Sequence, residues 1–218
     1  MLELYANPAI QGFTTNPTLM RKAGISDYEG FARDILSVIT DRPVSFEVFA
    51  DDFPEMERQA RLINTWGPNV YVKIPITNTR RESCCPLIEK LSADGIKINV
   101  TAILTLEQVS EVVEALAGNA PSYVSVFAGR IADTGVVPVP MMSRAVDILR
   151  PHPQMELIWA SPRELLNVFQ AHCIRCHIIT ATPDILKKLS LFGKDLDEYS
   201  LETVRMFADD AAKSGFTL

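Results

Sequence analysis

Long apolar runs, clusters of basic residues and abundant cysteine are all missing from this 218-residue chain. No uninterrupted apolar stretch approaches the about eighteen residues expected of a membrane-spanning helix, and no basic segment precedes an apolar one at the N-terminus. A net charge of −6 without a Lys/Arg cluster argues against nucleic acid as a partner. The four cysteines fall as Cys84-Cys85 and Cys173/Cys176, the latter inside His172-Cys173-Ile174-Arg175-Cys176-His177. Zinc needs four suitable ligands, and His177 opens what reads as a strand. A redox pair belongs at a helix N-terminus, whereas this pair follows a helix. It reads as reduced structural thiols, with metal or redox chemistry the competing interpretation. Internal repeats, low-complexity tracts and linkers are also absent. These exclusions leave a cytoplasmic enzyme with no membrane partner as the expectation.

What is present is an ordinary globular composition, 47% hydrophobic and 22% charged. Short apolar strands alternate with helical patterns. Strands are expected at 10–15, 44–48, 69–77 (stopping near Lys73, because Pro75 has no N–H for a ladder), 97–101, 123–127, 156–159 and 177–180. Helices are expected at 27–40, 52–64, 84–93 (closed by Gly95), 106–117, 139–149, from the cap at Ser161-Pro162 to 171, 183–189 and 200–214. Alternating β and α elements imply parallel strands with helices outside. The result is an α/β fold of TIM type, a (β/α)8 barrel lacking its first strand, because too few residues precede Ile10 for a strand and its helix. One domain spans 1–218, with a C-terminal helical extension at about 195–218 able to pack on a neighbouring subunit.

Lys73 is anomalous inside a run of β-branched and aromatic residues. Burial lowers a lysine's pKa, and a neutral amine in an apolar pocket forms Schiff bases with carbonyls; a head snorkelling into water is the competing reading. Counting in twos along each strand places Thr14 and Asn16, Ser45 and Glu47, Tyr71 and Lys73, Asn99 and Thr101, Ser125 and Phe127, then Trp159 and Ser161 inward near the C-terminal ends, where barrel chemistry gathers. A buried Glu47 and a buried Lys73 make one another less costly. Thr14 also reads as a strand-end residue, Asn16 as an Asx turn before Pro17, and Arg130 as a solvated surface cation. Ser161 reads as an N-cap beside free N–H groups, with Arg163 as the matching cation of an anion site.

The segments Gly12-Phe13-Thr14-Thr15-Asn16-Pro17, Lys73-Ile74-Pro75-Ile76-Thr77, Asn99-Val100-Thr101-Ala102-Ile103, Val126-Phe127-Ala128-Gly129-Arg130-Ile131 and Ala160-Ser161-Pro162-Arg163 occur in the order found in the transaldolase family, which the chain resembles to its end, including Thr180-Ala181-Thr182-Pro183. The resemblance implies class I aldolase chemistry without metal or other cofactor. It makes Lys73 the Schiff-base lysine and Glu47 and Thr101 the pair holding the water of imine formation. Thr14, Asn16, Asn99, Ser125 and Phe127 become substrate contacts, and Arg130, Ser161 and Arg163 the phosphate-binding set. The implied reaction moves a dihydroxyacetone unit from a ketose phosphate to an aldose phosphate in the non-oxidative pentose phosphate pathway. Homo-oligomers are implied as well. Fructose-6-phosphate aldolases on the same scaffold carry glutamine at the Glu47 position and tyrosine at the Phe127 position, so transfer is expected over simple cleavage.

One departure stands out. The family's first strand carries an aspartate acting as general acid/base, and that strand is what this chain lacks. Residues 2–5 resemble such a strand, with Ala6 at the aspartate position, but their closeness to Gly12 makes the end of a helix the better reading; neither Asp51 nor Asp133 is an obvious substitute. The natural polypeptide is therefore expected to start upstream of Met1, the alternative being a gapped barrel closed by a neighbouring chain. Functional readings beside an active transaldolase are a lyase-type aldolase and a non-catalytic sugar-phosphate-binding relative.

Overall fold

The structure, a computed structural model, describes residues 1–116, 118 and 120–215. Two compact units emerge, Met1–Ala181 and Thr182–Leu218. In the first, α1 (Leu2–Tyr5) precedes β1 (Phe13–Thr14), α2 (Pro17–Lys22) and α3 (Tyr28–Val38). Then come β2 (Val44–Glu47), α4 (Phe53–Asn64), β3 (Val70–Pro75), α5 (Cys85–Ala93), β4 (Ile98–Ile103) and α6 (Leu106–Ala115). The unit closes with β5 (Ser122–Val126), α7 (Ala128–Asp133), α8 (Pro138–Leu149), β6 (Met155–Trp159), α9 (Leu166–Cys173) and β7 (Ile178–Ile179). The second unit holds α10 (Pro183–Lys187), a 3-10 turn (Lys188–Leu191) and α11 (Leu196–Ser214).

All seven strands are parallel and ordered β1 to β7. They make a half-barrel, a TIM-type barrel short of one strand, whose two edges are the two-residue strands β1 and β7. Outward-facing residues such as Val44, Phe46, Val72, Ile74, Ile98, Val100, Val124, Leu157 and Trp159 form the main core with the helices. Each such aliphatic or aromatic side chain contributes roughly 1.5–3 kcal/mol on burial. A smaller cluster of Tyr71, Tyr123, Ile158 and Ala160 fills the inner face, where the two tyrosine rings stack at 4.1 Å.

Several expectations change. The lysine strand continues to Pro75, because in a parallel ladder the donor that matters there is Ile76 N–H, bonded to the Thr101 carbonyl. The inward residues here are Ile158 of β6 and Ala160 just past the strand, not Trp159, which is fully buried on the helix side. With Leu157, Ile158 and Trp159 all apolar, the sequence pattern carried no phase for that strand. Ser161 caps no helix: α9 starts only at Leu166, and Ser161 sits in the left-handed region at φ 61°. Helices α2 and α7 were not foreseen, and α11 begins at Leu196, capped by Asp195, rather than at 200. Residues 2–5 are helical, as read. The end expected for α6 at Ala117 and the chain end from Phe216 to Leu218 lie outside the described residues.

Cys176 Sγ lies 3.4 Å from the Leu157 and Ile178 carbonyls, and burial pushes its thiol up to about 11. Cys173 is exposed. A thiol held protonated against backbone oxygens matches the structural reading of this pair.

Helix α6 is pinned by a capping box, Thr105 accepting from Gln108 N–H and Gln108 Oε1 from Thr105 N–H. Thr105→Ala is expected to cost about 1 kcal/mol, read as a lower urea midpoint with an unchanged slope.

Candidate active site

Glu47, Lys73 and Asn99 lie side by side in register on β2, β3 and β4. Lys73 is 8% exposed, which removes the snorkelling alternative. Its Nζ donates to Glu47 Oε2 at 3.0 Å and to the Thr15 carbonyl at 3.2 Å. An ammonium withdrawn from water requires such partners, and a carboxylate contact combined with a carbonyl contact supplies them. Beside this pair runs a polar chain: Ser125 Oγ donates to Asn99 Oδ1 (2.7 Å), and Asn99 Nδ2 donates to Ser45 Oγ (3.0 Å). All three are buried.

Thr101 lies opposite Pro75, nearer the C-terminal end of β4. Its hydroxyl is buried without a partner among the described residues, which suits it to hold a ligand or water oxygen. The β4–β5 register shifts across it, between Val100 and Ile103, and Ala102 takes φ 63°. Irregularities of this kind re-aim side chains beside active sites.

Thr14 pairs in register with Ser45 and so shares the inner face. Asn16 instead caps α2, its Oδ1 accepting from Leu19 N–H at 2.8 Å with Pro17 at the first helical position. That bond commits Oδ1 to the helix and leaves the Nδ2 end of the amide outside the cap.

The rim beyond β5 and β6 collects Phe127, Arg130, Ser161 and Arg163. Arg163 Nη1 donates to Ser161 Oγ at 2.9 Å, and its Nε to Asp133 Oδ1 at 2.9 Å. That guanidinium holds the Asp133 carboxyl below the usual carboxylate range. Arg130 lies 5.7 Å from the centre of the Phe127 ring. Asn167, which sequence reasoning missed, accepts from Arg163 and Glu164 N–H and organises the turn that Ser161 was expected to cap. Asp51 accepts from Thr79 N–H and Oγ1, so Asp51 and Asp133 are both committed to other partners.

Also missed were Thr15 and Tyr28. Counting in twos selected Thr14, yet it is the fully buried Thr15 whose carbonyl holds Nζ. Tyr28 arrives from α3, and no strand pattern points to it.

At Gly129 a β-carbon would stand 1.5 Å from the Ser161 carbonyl oxygen, so only glycine lets α7 approach the loop after β6. Gly129→Ala is expected to destabilise by at least about 2 kcal/mol through backbone displacement, seen as a lower melting temperature and a shifted Ser161–Arg163 loop in a crystal structure.

A family model described as transaldolase/fructose-6-phosphate aldolase matches residues 1–218. A probable transaldolase from Dehalococcoides mccartyi is 37% identical over 181 residues, covering 83% of this chain and 80% of the relative. One from Sphingopyxis alaskensis is 33% identical over 214 residues, covering 98% and 92%. One from Methanococcus maripaludis is 36% identical over 188 residues, covering 86% and 83%. Among solved structures, mandelate oxidase with benzoyl-formic acid aligns at a TM-score of 0.53 with 12% identity, covering 79% of this chain and 64% of that one. A mandelate oxidase mutant with a monooxide FMN adduct aligns at 0.50 with 14% identity, covering 68% and 50%. The chain thus spans about half to two thirds of those oxidases, and their likeness bears on the fold alone. From its full-length match and its relatives, the chain belongs to the transaldolase/fructose-6-phosphate aldolase family.

Proposed function

We propose that this family member is a transaldolase that works through an imine on Lys73. It would transfer a dihydroxyacetone unit from sedoheptulose 7-phosphate or fructose 6-phosphate to glyceraldehyde 3-phosphate or erythrose 4-phosphate, as in the pentose phosphate pathway. The observation that carries this reading is the buried Nζ, 3.0 Å from the Glu47 carboxylate and beside the buried hydroxyls and amide of Ser45, Asn99 and Ser125.

Attack of the amine on the ketose carbonyl gives a carbinolamine, whose hydroxyl leaves as water once protonated. Glu47 Oε2 is within reach to take the amine proton and return it to that hydroxyl. The unpartnered Thr101 hydroxyl is suited to hold the departing water and the one that later hydrolyses the imine. Asn99, Ser125, Thr14 and the Nδ2 of Asn16 would grip sugar hydroxyls, with Phe127 as an apolar wall. Arg130, Ser161 and Arg163 would bind the phosphate, two guanidinium groups suiting its oxygens. Glu47 and Phe127 together favour transfer over cleavage. We place the protein in the cytoplasm as a homo-oligomer; α11, with Leu196, Val204 and Phe207 exposed, is a candidate contact. No described helix is long and apolar enough to cross a membrane.

A second reading, a sugar-phosphate-binding relative with little turnover, is favoured by one observation: Asp51 and Asp133 are both held by other partners, so neither is free for the carbon–carbon cleavage step. Borohydride reduction with fructose 6-phosphate separates the readings. An adduct on Lys73 with transfer to an aldose phosphate supports the transaldolase; an adduct without turnover supports the binding relative; dihydroxyacetone released without acceptor marks a lyase. No adduct on Lys73 would falsify the imine mechanism. Lys73→Met is expected to abolish adduct and transfer, and Glu47→Gln to slow transfer by about 10²–10⁴-fold in a coupled spectrophotometric assay.

A further inference from the structure

The Glu47 N–H, just past the point where β1 ends alongside β2, donates to Tyr28 Oη at 2.9 Å. That oxygen lies 3.0 Å from Thr15 Oγ1, and Thr15 Oγ1 donates to the Ser45 carbonyl at 2.9 Å. The direction of the chain follows from these bonds. Thr15 commits its one hydroxyl proton to Ser45, so Tyr28 must donate to Thr15, and Tyr28 in turn accepts from Glu47. One phenol therefore joins the residue whose carboxylate holds Lys73 Nζ to the residue whose carbonyl holds it.

The phenol is itself built into place. Its ring meets Phe46, Phe49 and Trp66 edge-on, at 5.9, 4.7 and 5.8 Å between centroids. Asp27 caps α3 immediately before it. Burial pushes the Tyr28 hydroxyl above its ordinary range, so it remains a proton donor through neutral pH. Because β1 is only two residues long, ladder bonds alone hold Thr15 weakly; Thr15 N–H and Oγ1 both go to Ser45 O.

We propose that Tyr28 is a positioning residue for the Lys73 amine, acting through Thr15 and through the backbone of Glu47. The inference rests on the imine reading of Lys73. Without the phenolic hydroxyl, the Thr15 carbonyl and the Glu47 carboxylate keep their chemistry but lose the link that sets their spacing around Nζ.

The test is the rate of Lys73 adduct formation at saturating fructose 6-phosphate under borohydride, beside inorganic phosphate affinity and melting temperature. Tyr28→Phe keeps the ring packing and removes only the hydroxyl. It is expected to slow adduct formation by about 10- to 100-fold, the usual effect of a misplaced reacting group, with phosphate affinity unchanged. Thr15→Val is expected to do the same, and Thr15→Ser, which restores the hydroxyl, to recover to within severalfold of wild type. Wild-type rates in Tyr28→Phe or Thr15→Val overturn the proposal, as does Thr15→Ser remaining as slow as Thr15→Val. A slow Tyr28→Phe that also loses phosphate affinity and its melting transition assigns the residue a general structural role and overturns it too. Absence of an adduct in the wild-type protein strikes the imine reading instead, so the two failures are distinguishable.

Discussion

Lys73, buried, and Glu47, partly buried, face each other from adjacent parallel strands with an N–O distance of 3.0 Å. Removing one partner of a buried ion pair typically costs about 3–5 kcal/mol, because the other charge stays in low dielectric. The pair therefore constrains everything near it: the β2–β3 register, the β1 carbonyl that completes the amine's shell, and the polar chain of Ser45, Asn99 and Ser125. A core designed for stability alone has no use for these groups. They concentrate on one face, at the C-terminal ends of parallel strands, the place where chemistry gathers in barrels of this type.

Around that pair the molecule is asymmetric. Strands β2 to β6 are each paired on both sides and carry the core, whereas β1 and β7 pair on one side only and are two residues long. Unpaired edges of a parallel sheet are usually covered or kept short, and here they are short. The N-terminal side of the site is correspondingly supported by side chains: Tyr28 takes the Glu47 N–H, and Asn16 caps the helix that follows β1. At the opposite rim, Gly129, Ser161 and Asn167 play a similar part, letting α7 touch the loop after β6 and turning Arg163 toward Asp133 and Ser161.

Much of this was legible in the sequence, for a definable reason. In β2, β3, β4 and β5, polar residues alternate with apolar ones, so counting in twos put Ser45, Glu47, Lys73, Asn99, Thr101 and Ser125 on one face without any coordinate. The same count misjudged β6, where three consecutive apolar residues erase the alternation, and put Trp159 inward when Ile158 and Ala160 are. Ser161-Pro162 looks like a helix start locally, yet the left-handed backbone at Ser161 and the Asn167 side chain turn it into a loop.

The alternation of strands and helices, the parallel order, and the identity of the amine and its carboxylate were determined by the residues themselves, since side-chain direction in a strand follows directly from position. Only the tertiary structure decided that the Thr15 backbone rather than its neighbour's side chain meets Nζ, that Tyr28 links that carbonyl to Glu47, and that Asp51 and Asp133 are taken by other partners. Those are contacts between elements far apart in the chain and, for Thr15, contacts of the backbone, which every residue type offers equally and which no sequence pattern marks.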